Sequence, residues 1–476
     1  MTAPTRTLKP ATGLVAVVGF LVCVELASGV LQGFYTPLWN DVASNLGVHV
    51  SDVNWFEAAQ LILSALAVPF LARLGDTIGH RNVLLLATAL TAAGSWAIAF
   101  APSFSTFLVG YALQGAYVVW LPLEIAIVHR RAAETGRQAL LTRRAAAVLV
   151  GALEAAVIAA ALTSGALVGT IPLTVVLAIP AIVVTLCLIV VWFGIENRPG
   201  TSTQRFDAVG LGLMTVVLGL VMAGLVVLRV LGPASPAPWI LLVFGLASVV
   251  PFARYERRLD EPLVDVRLLT RTSQWPVQLT AFLIGMSVLG AQIPLSTFAR
   301  TDPSEAGYGL GASAGFVSIL IGVYVIFLAV GALLFPVSTR LLGERGALIA
   351  GALVVAIGYA LWLPFHDSTL QALVNMAVVG CGTGTLLPAL PAAAAAAAPP
   401  NRTGFATGMT NATKTIGGAI ASAVFAIALA ATGSIADPSS GHAPLSGYLT
   451  VWSVCAAAAL AAAVALLALP RRSPNP

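Results

Sequence analysis

Four glutamates interrupt long apolar runs in the first third of the sequence: Glu25, Glu57, Glu124 and Glu154. A charged side chain at the middle of a bilayer costs roughly 2.5–3.5 kcal/mol on insertion scales. A carboxyl without a cationic partner in such surroundings usually takes up a proton. The four side chains therefore predict either sites that load and release protons or sites that neutralise a cationic ligand.

The positions of these glutamates within their runs differ. Glu25 and Glu154 lie near the run centres, which favours a functional role, and Glu25 is the first candidate for a proton site. Glu124 is near the end of its run, where interfacial arginines are within reach of its side chain. Glu57 is in the first turns of its run, where an acid complements a helix dipole. For Glu57 and Glu124 a structural role and a functional role both stay open.

The composition makes lipid the solvent for most of the chain. Of the 476 residues, 58% are hydrophobic and 9% are charged, whereas a soluble domain carries about 25% charged residues. The net charge of +5 would suit nucleic acid, but the arginines cluster between apolar runs, which indicates a membrane surface. No phosphate-binding loop, zinc-ligand cluster or nucleophile elbow occurs, so we expect no enzyme, no metal or cofactor, and no nucleic-acid partner.

The apolar runs predict an all-α integral membrane protein. A helix needs roughly 20 apolar residues to cross a hydrocarbon core of about 30 Å, and lipid offers backbone polar groups no outside partner. Fourteen runs qualify as spans: 12–36, 53–73, 83–101, 105–128, 145–169, 172–194, 207–230, 238–254, 275–298, 313–338, 346–365, 369–391, 406–431 and 446–469.

The basic residues predict the orientation of these spans. With the N-terminus inside, the inner segments hold 22 of the 24 lysine and arginine residues, and only Arg229 and Arg300 are outside. This count assigns Lys414 to an inner segment and leaves the four glutamates without an evident cationic partner. Both termini are therefore predicted in the cytoplasm, with the chain in the inner (cytoplasmic) membrane.

Weak internal matches suggest a duplication. The stretches "LARLGDTIGHRNVLL" (71–85) and "STRLLGERGALIAG" (338–351) are both basic, glycine-bearing inner turns before an apolar helix. Transporters built from two related halves hold their substrate between the halves near the bilayer midplane. The predicted domains are a six-helix bundle over 1–200, two inserted spans with a cytoplasmic linker over 201–272, and a six-helix bundle over 273–476.

The turn "LGDTIGHR" resembles the loop 2–3 signature of the major facilitator superfamily, usually G-x-L-x-D-R-x-G-R-R/K. The matching residues are Leu74, Asp76, Gly79 and Arg81, whereas the departures are Ala72, Thr77 and His80. The resemblance implies two six-helix bundles that rock around a central site. It also implies that this turn latches the bundles together at the cytoplasmic side in the outward-facing state.

Further segments resemble the 14-span drug:proton antiporter branch of that superfamily: "RFDAVG" (205–210), "YERRLDEPLVDVRLL" (255–269), "GYGLGASAGF" (307–316) and "GFATGMTNATKTIGGAI" (404–420). Two motifs of the branch are altered. Where its fourth span carries R-x-x-Q-G, with an arginine implicated in proton coupling, this chain has Tyr111 but keeps Gln114 and Gly115. Of the fifth-span motif G-P-x-x-G-G, Gly165 and Gly169 remain. We expect the three glycines to pack helices together in an atypical member of the branch.

Polar and aromatic side chains in spans one, two and four are candidates to line the implied substrate cavity: Gln32, Gln60, Tyr111, Gln114 and Trp120. For each of them alone, packing between helices is the alternative.

The sequence as a whole predicts a monomeric secondary transporter. It would export small hydrophobic or cationic compounds in exchange for protons, with the proton gradient as its energy source. A dedicated exporter of an endogenous metabolite or envelope lipid and a proton-linked importer stay open as alternatives. A non-transporting membrane sensor or scaffold is the least favoured reading.

Overall fold

The computed structural model describes residues 14–133, 138–196, 207–259, 262–399, 402–430 and 443–470. This part of the chain is helical and contains no β-strand, apart from one isolated bridge between Val168 and Ile171. Helices satisfy the backbone polar groups of apolar segments internally, as lipid requires.

The helices of the first part are α1 (Leu14–Val18), α2 (Leu21–Gly33), α3 (Trp39–Leu46), α4 (Asn54–Ile78), α5 (His80–Ala99), α6 (Phe104–Gln114), α7 (Trp120–Ala133), α8 (Gln138–Leu167) and α9 (Leu173–Gly194). Three 3-10 segments lie among them: Thr36–Leu38, Val50–Val53 and Gly115–Val119.

The middle part contains α10 (Ala208–Leu231), α11 (Pro236–Glu256) and α12 (Val266–Leu269). The last part contains α13 (Trp275–Val288), α14 (Gln292–Arg300), α15 (Pro303–Ala306), α16 (Ala314–Leu361), α17 (Thr369–Leu386), α18 (Ala389–Ala396), α19 (Thr403–Leu429) and α20 (Leu445–Leu466).

Thirteen helices in the described residues are long and apolar enough to cross a membrane. One of them, α16, has 48 residues and non-helical angles at Gly343 (φ 72°, ψ 166°). Because glycine tolerates positive φ, the chain bends there, and α16 consists of two helices. The predicted tenth and eleventh spans lie on either side of this bend.

Two predicted segment boundaries are wrong. The predicted first span breaks at Gly19 (φ 52°), and the apolar stretch that follows runs from Leu21 to Leu46. The turn predicted over "LGDTIGHR" is mostly helix, because α4 continues to Ile78 and α5 begins at His80.

The chain forms two large hydrophobic cores. The buried residues of the first lie between 17 and 195, joined by Ile293, and those of the second lie between 268 and 466. Helix α10 packs against α11, α4 and α19. We call the first assembly the N-terminal bundle and the second the C-terminal bundle. The predicted domain boundary at residue 200 lies outside the described residues.

The bundles meet along two seams, one where α4 packs against α19 and one where α8 packs against α16. A Cβ atom at Gly418 would lie 2.9 Å from Leu61, and one at Gly165 would lie 2.2 Å from the Ser318 hydroxyl. The Ser318 hydroxyl donates to the carbonyl of Ala161 at 2.6 Å. Small residues thus allow the bundles to approach closely on two sides of the space between them.

Candidate functional site

The carboxyl groups of Glu25 and Glu124 face each other inside the N-terminal bundle. Glu25 is on α2 and Glu124 is on α7, and both side chains are fully buried. Each carboxyl is within hydrogen-bonding reach of the other, and neither receives a hydrogen bond from any further group in the described chain. Two ionised carboxylates in contact repel each other, so this pair favours a state that holds at least one proton.

Close packing of α2 on α8 helps to bury Glu25. Gly29 and Gly33 follow it at four-residue intervals, so all three lie on one face of α2. Cβ atoms at the two glycines would lie 2.3 Å from the carbonyl oxygen of Leu153 and 2.2 Å from that of Val157. The glycines therefore permit backbone contact, and Glu25 lies on the same α2 face one turn earlier.

The helix that carries Glu124 begins after an irregular segment. The 3-10 segment Gly115–Val119 separates α6 from α7, and Trp120 and Glu124 lie within the first turns of α7. Trp120 is fully buried, and its indole nitrogen has no hydrogen-bond partner in the described chain. A 3-10 stretch in the middle of a helical span often marks a hinge, so the carboxyl pair adjoins a point where the span can bend.

Glu57 lies in the first turn of α4, as the helix-dipole argument predicts, and it also contacts Tyr111. The Tyr111 hydroxyl lies close to the Glu57 carboxylate and is placed to donate to it. The Tyr111 ring packs edge-on against Tyr35 and Trp39, with ring centroids 5.4 and 5.5 Å away. The tyrosine at the position of the family's arginine thus supplies a neutral donor to an acidic side chain.

Four of the five side chains predicted to line a cavity are instead packed inside the N-terminal bundle: Gln60, Tyr111, Gln114 and Trp120. The Gln114 amide donates to the Tyr35 hydroxyl at 2.8 Å and to the Ser95 hydroxyl at 2.9 Å. Its carbonyl accepts from Gln60 at 3.4 Å. Gln114 therefore ties four spans together, and of the five only Gln32 is exposed.

Gly115 and Gly165 pack helices closely, whereas Gly169 does not. A Cβ atom at Gly115 would lie 2.5 Å from the carbonyl oxygen of Gln60. Gly169 follows the end of α8 with φ of 80°, and no atom lies within 4 Å of a Cβ built there. Its role in this structure is to turn the chain, because glycine accepts positive φ at little cost.

A cationic side chain lies within electrostatic range of Glu154, which the sequence analysis did not anticipate. Lys414 is not in an inner segment but well inside α19, and its ammonium group acts electrostatically on the Glu154 carboxyl of α8. Both side chains are partly exposed. Helix α8 belongs to the N-terminal bundle and α19 to the C-terminal bundle, so this electrostatic interaction acts between the bundles.

The residues of the "LGDTIGHR" motif lie at the inner end of α4 and the start of α5. Leu74 and Asp76 are in the last turns of α4, and Gly79 turns the chain with φ of 95°. Arg81 donates to the carbonyl of Trp192 at 2.5 Å and lies over its ring, 5.7 Å from the centroid. This contact is within the N-terminal bundle, and the Asp76 side chain lies outside the described part.

Polar contacts join the bundles at the opposite end, which we call the outer end from the predicted orientation. Arg300 of α14 forms an ion pair with Asp41 of α3 and donates to the carbonyl of Pro37 at 3.1 Å. The Ser296 hydroxyl donates to the carbonyl of Thr36 at 2.5 Å. The bundles are therefore fastened together at this end.

No group of three His, Cys, Asp or Glu side chains in the described chain is arranged to hold a metal ion. The sequence reasoning missed the Glu25–Glu124 contact and the position of Lys414. One signal was available for the first of these: the spacing Glu25, Gly29, Gly33 places an acid on a small-residue helix face.

Comparison with known proteins identifies the family of this chain. The model of the Major Facilitator Superfamily matches residues 21–301 and 277–476. A uridine/deoxyuridine transporter of Lactococcus lactis is 25% identical over 368 residues, covering 76% of this chain and 75% of the relative. The multidrug resistance protein Stp of Mycobacterium tuberculosis is 24% identical over 398 residues. The alignment covers 82% of this chain and 71% of that relative.

The solved structures agree on the fold. The crystal structure of a point mutant of the nucleoside transporter NupG aligns with a TM-score of 0.64 at 14% identity. The alignment covers 95% of this chain and 99% of that one. At this identity the likeness concerns the arrangement of helices alone.

Proposed function

Because this chain belongs to the Major Facilitator Superfamily, we propose that it exports small hydrophobic or cationic organic compounds in exchange for protons. The chain is a multi-pass membrane transporter and not an enzyme, as its family and transporter relatives establish. The direction of transport, the coupling to protons and the substrate are the subject of the proposal.

The observation that carries the proposal is the buried Glu25–Glu124 pair. None of the four carboxyl oxygens accepts a hydrogen bond in the described chain, so a proton between the two carboxyls stabilises the packed state. If movement at the 3-10 segment Gly115–Val119 separates α7 from α2, the carboxyls part and meet water. Each group then releases its proton more readily, which links proton binding to conformation.

The polar contacts at the two ends of the space between the bundles support alternating access, in which the two ends open in turn. The outer contacts of Arg300 with Asp41 hold one end of the space between the bundles closed in this structure. We propose that Leu74, Asp76, Gly79 and Arg81 close the inner end in the opposite state, when Arg81 would exchange its present contact with Trp192 for one across the bundles. Transport then proceeds by one monomer, without a prosthetic group.

The proposal is tested in inverted membrane vesicles with an acidified lumen. A panel of lipophilic cations and neutral drugs is added while the pH gradient is followed. We expect some compounds to dissipate the gradient in vesicles with the wild-type protein and not in vesicles with Glu25→Gln. Accumulation of a compound that is insensitive to the gradient would overturn proton coupling.

A second candidate is proton-linked uptake of a metabolite such as a nucleoside. It is favoured by the similarity to the uridine/deoxyuridine transporter of Lactococcus lactis. Radiolabelled uridine supplied to intact cells separates the two candidates. Uptake that requires this protein supports the importer, and efflux of preloaded compounds supports the exporter.

A further inference from the structure

A buried carboxyl group lies at the inner end of a helix that is otherwise mostly exposed. The buried residues of α11 are Pro238, Gly245 and Glu256, and Glu256 is the last residue of the helix. Its side chain is 1% exposed. Because a carboxyl group loses its hydration on burial, polar contacts within the protein must hold it. Glu256 therefore marks a point where the inserted helices are fastened.

Glu256 contacts both α10 and the segment that follows α11. One of its carboxyl oxygens accepts a hydrogen bond from the backbone N–H of Val264 at 3.1 Å. A Cβ atom at Gly210 would lie 2.5 Å from the other oxygen, so the first turn of α10 lies directly against the carboxyl group. The Tyr255 hydroxyl donates at 3.0 Å to Asp207, which caps α10. The inner ends of α10 and α11 and the chain at Val264 thus form one unit.

This unit is fixed to the C-terminal bundle. Leu268 of α12, four residues after Val264, is buried in the core of that bundle. The buried Gln274 amide donates to the carbonyl of Ala394 of α18 at 2.7 Å. The hydrogen bond between Glu256 and Val264 therefore ties the inner end of α10 to a segment that is anchored in the C-terminal bundle.

The outer end of α10 is fixed to the N-terminal bundle instead. Arg229 in the last turn of α10 forms an ion pair with Asp52 at 3.3 Å, and both side chains are more than 90% buried. Asp52 lies in the 3-10 segment that precedes α4. At 1.5 Å per residue α10 is about 36 Å long, which exceeds a hydrocarbon core of about 30 Å. The two polar fastenings are thus at opposite ends of the helix and on opposite bundles.

The contacts between the two fastenings are apolar. Met214 and Leu225 of α10 belong to clusters that contain side chains of both α4 and α19, the helices of one seam. Packed helices slide past each other in small shear movements, whereas a buried ion pair fixes its two partners because separating them is costly. The position of α10 is therefore set by its two ends.

We propose that α10 is a brace that makes the opening of one end of the transporter accompany the closing of the other. When two bundles rock about the middle of the bilayer, the outer edge of one and the inner edge of the other move in the same direction. A rod fixed at those two edges keeps its length in this movement and resists movement of one edge alone. Glu256 is then a positioning residue, because it holds the inner attachment of the brace. This inference rests on the alternating access of the proposed function.

Distances between spin labels in purified protein test the brace, after the four native cysteines are replaced by alanine. The labels are placed at exposed positions, with an outer pair at Asn45 and Glu305 and an inner pair at His129 and Arg340. Arg300→Glu replaces the outer ion pair with repulsion from Asp41 and should shift the outer pair toward longer distances. With the brace intact, the inner pair should shift toward shorter distances in the same fraction of molecules.

Glu256→Ala should break this transmission, because it removes the acceptor for the Val264 N–H. In that background Arg300→Glu should still lengthen the outer distances, and the inner distances should not respond. Glu256→Gln keeps an acceptor and should retain the inner response. Arg258→Ala, at an exposed position two residues away, is the control and should also retain it.

A second variant releases the other end of the brace. The double variant Asp52→Asn, Arg229→Gln removes the outer attachment and should likewise stop the inner pair from following the outer pair. Size-exclusion profiles identify the folded variants. An inner response that persists in folded Glu256→Ala or in the folded double variant would overturn the inference. An inner pair that ignores the outer shift in the protein with an intact brace would also overturn it.

Failure of this inference is distinct from failure of the proposed function. The distance measurement needs no substrate, no proton gradient and no direction of transport. Loss of proton-driven transport in Glu25→Gln concerns the carboxyl pair instead. A protein that couples transport to protons but whose inner end responds without the brace would contradict the brace alone.

Discussion

Ser318 on α16 lies so close to Gly165 on α8 that a Cβ atom at Gly165 would come within 2.2 Å of the Ser318 hydroxyl oxygen. The same Cβ atom would lie 2.8 Å from the carbonyl oxygen of Ala314. The α8–α16 seam thus depends on a residue without a side chain, and this seam must change if the bundles rock.

Gly165→Ala should therefore destabilise the protein and slow transport. Overpacking of this kind typically costs about 1–3 kcal/mol. Gly151→Ala is the matched control, because it lies on the same helix and no atom is within 4 Å of its added Cβ. Thermal unfolding should show a lower midpoint for Gly165→Ala, whereas Gly151→Ala should match or exceed the wild type, since alanine favours helix by up to about 1 kcal/mol. Equal midpoints for the two variants would show that the seam tolerates a methyl group.

Gln114→Leu should destabilise the N-terminal bundle, because it removes three hydrogen bonds among buried groups. Leaving a buried donor or acceptor without its partner costs about 1–3 kcal/mol. Gln32→Leu is the comparison, since Gln32 is exposed and its described bond is to Ser28 of its own helix. Chemical unfolding in detergent should separate the two variants, with Gln32→Leu within about 0.5 kcal/mol of wild type. A larger loss of unfolding free energy in Gln32→Leu than in Gln114→Leu would contradict the structural roles that we assign to the two residues.

The contrast between these glutamines shows where prediction from sequence succeeds and where it stops. Apolar runs fix the presence of the helices, since lipid leaves the backbone no alternative. The direction in which Gln32 or Gln114 points depends on the rotation of each helix against its neighbours. Span prediction carries no such information, so four of the five predicted cavity residues are packed inside a bundle.

Lys414 illustrates a second limit of prediction from sequence. The count of positive charges assigned it to an inner segment, although it lies within the predicted span 406–431. In the structure Lys414 is well inside α19, within electrostatic range of Glu154 on α8. Likewise, Glu25 and Glu124 are distant in sequence, and only the packing of α2 with α7 brings them together.

Asp52→Asn should loosen the inserted helix α10 from the N-terminal bundle. Asp52 forms an ion pair with Arg229 at 3.3 Å, and both side chains are more than 90% buried. Removing one partner of such a pair costs about 3–5 kcal/mol. We expect faster proteolysis in the segment between α10 and α11. The double variant Asp52→Asn, Arg229→Gln should recover part of the lost stability and be cleaved more slowly than the single variant. A cleavage rate in Asp52→Asn equal to that of wild type would contradict this anchoring role.

Arg300→Gln should open the outer end more often, because it removes the ion pair with Asp41 and the bond to Pro37. A partly exposed ion pair is worth about 1 kcal/mol or less, which shifts a two-state equilibrium up to roughly fivefold. Labelling of a cysteine introduced at Gln32 by a reagent added from outside should accelerate accordingly. Asp367→Asn, at an exposed position in the C-terminal bundle, serves as the control and should leave the labelling rate unchanged. A labelling rate for Arg300→Gln equal to that of its parent would argue against an outer gate.

The most direct test of the central claim compares two modes of transport in proteoliposomes carrying Glu25→Gln or Glu124→Gln. One mode is exchange of labelled for unlabelled substrate, which requires no net proton movement, and the other is accumulation driven by a proton gradient. If the buried carboxyl pair couples protons to transport, both variants should exchange substrate near the wild-type rate and fail to accumulate it against a gradient. Gradient-driven accumulation at the wild-type level in either variant would show that the pair does not carry the coupling proton.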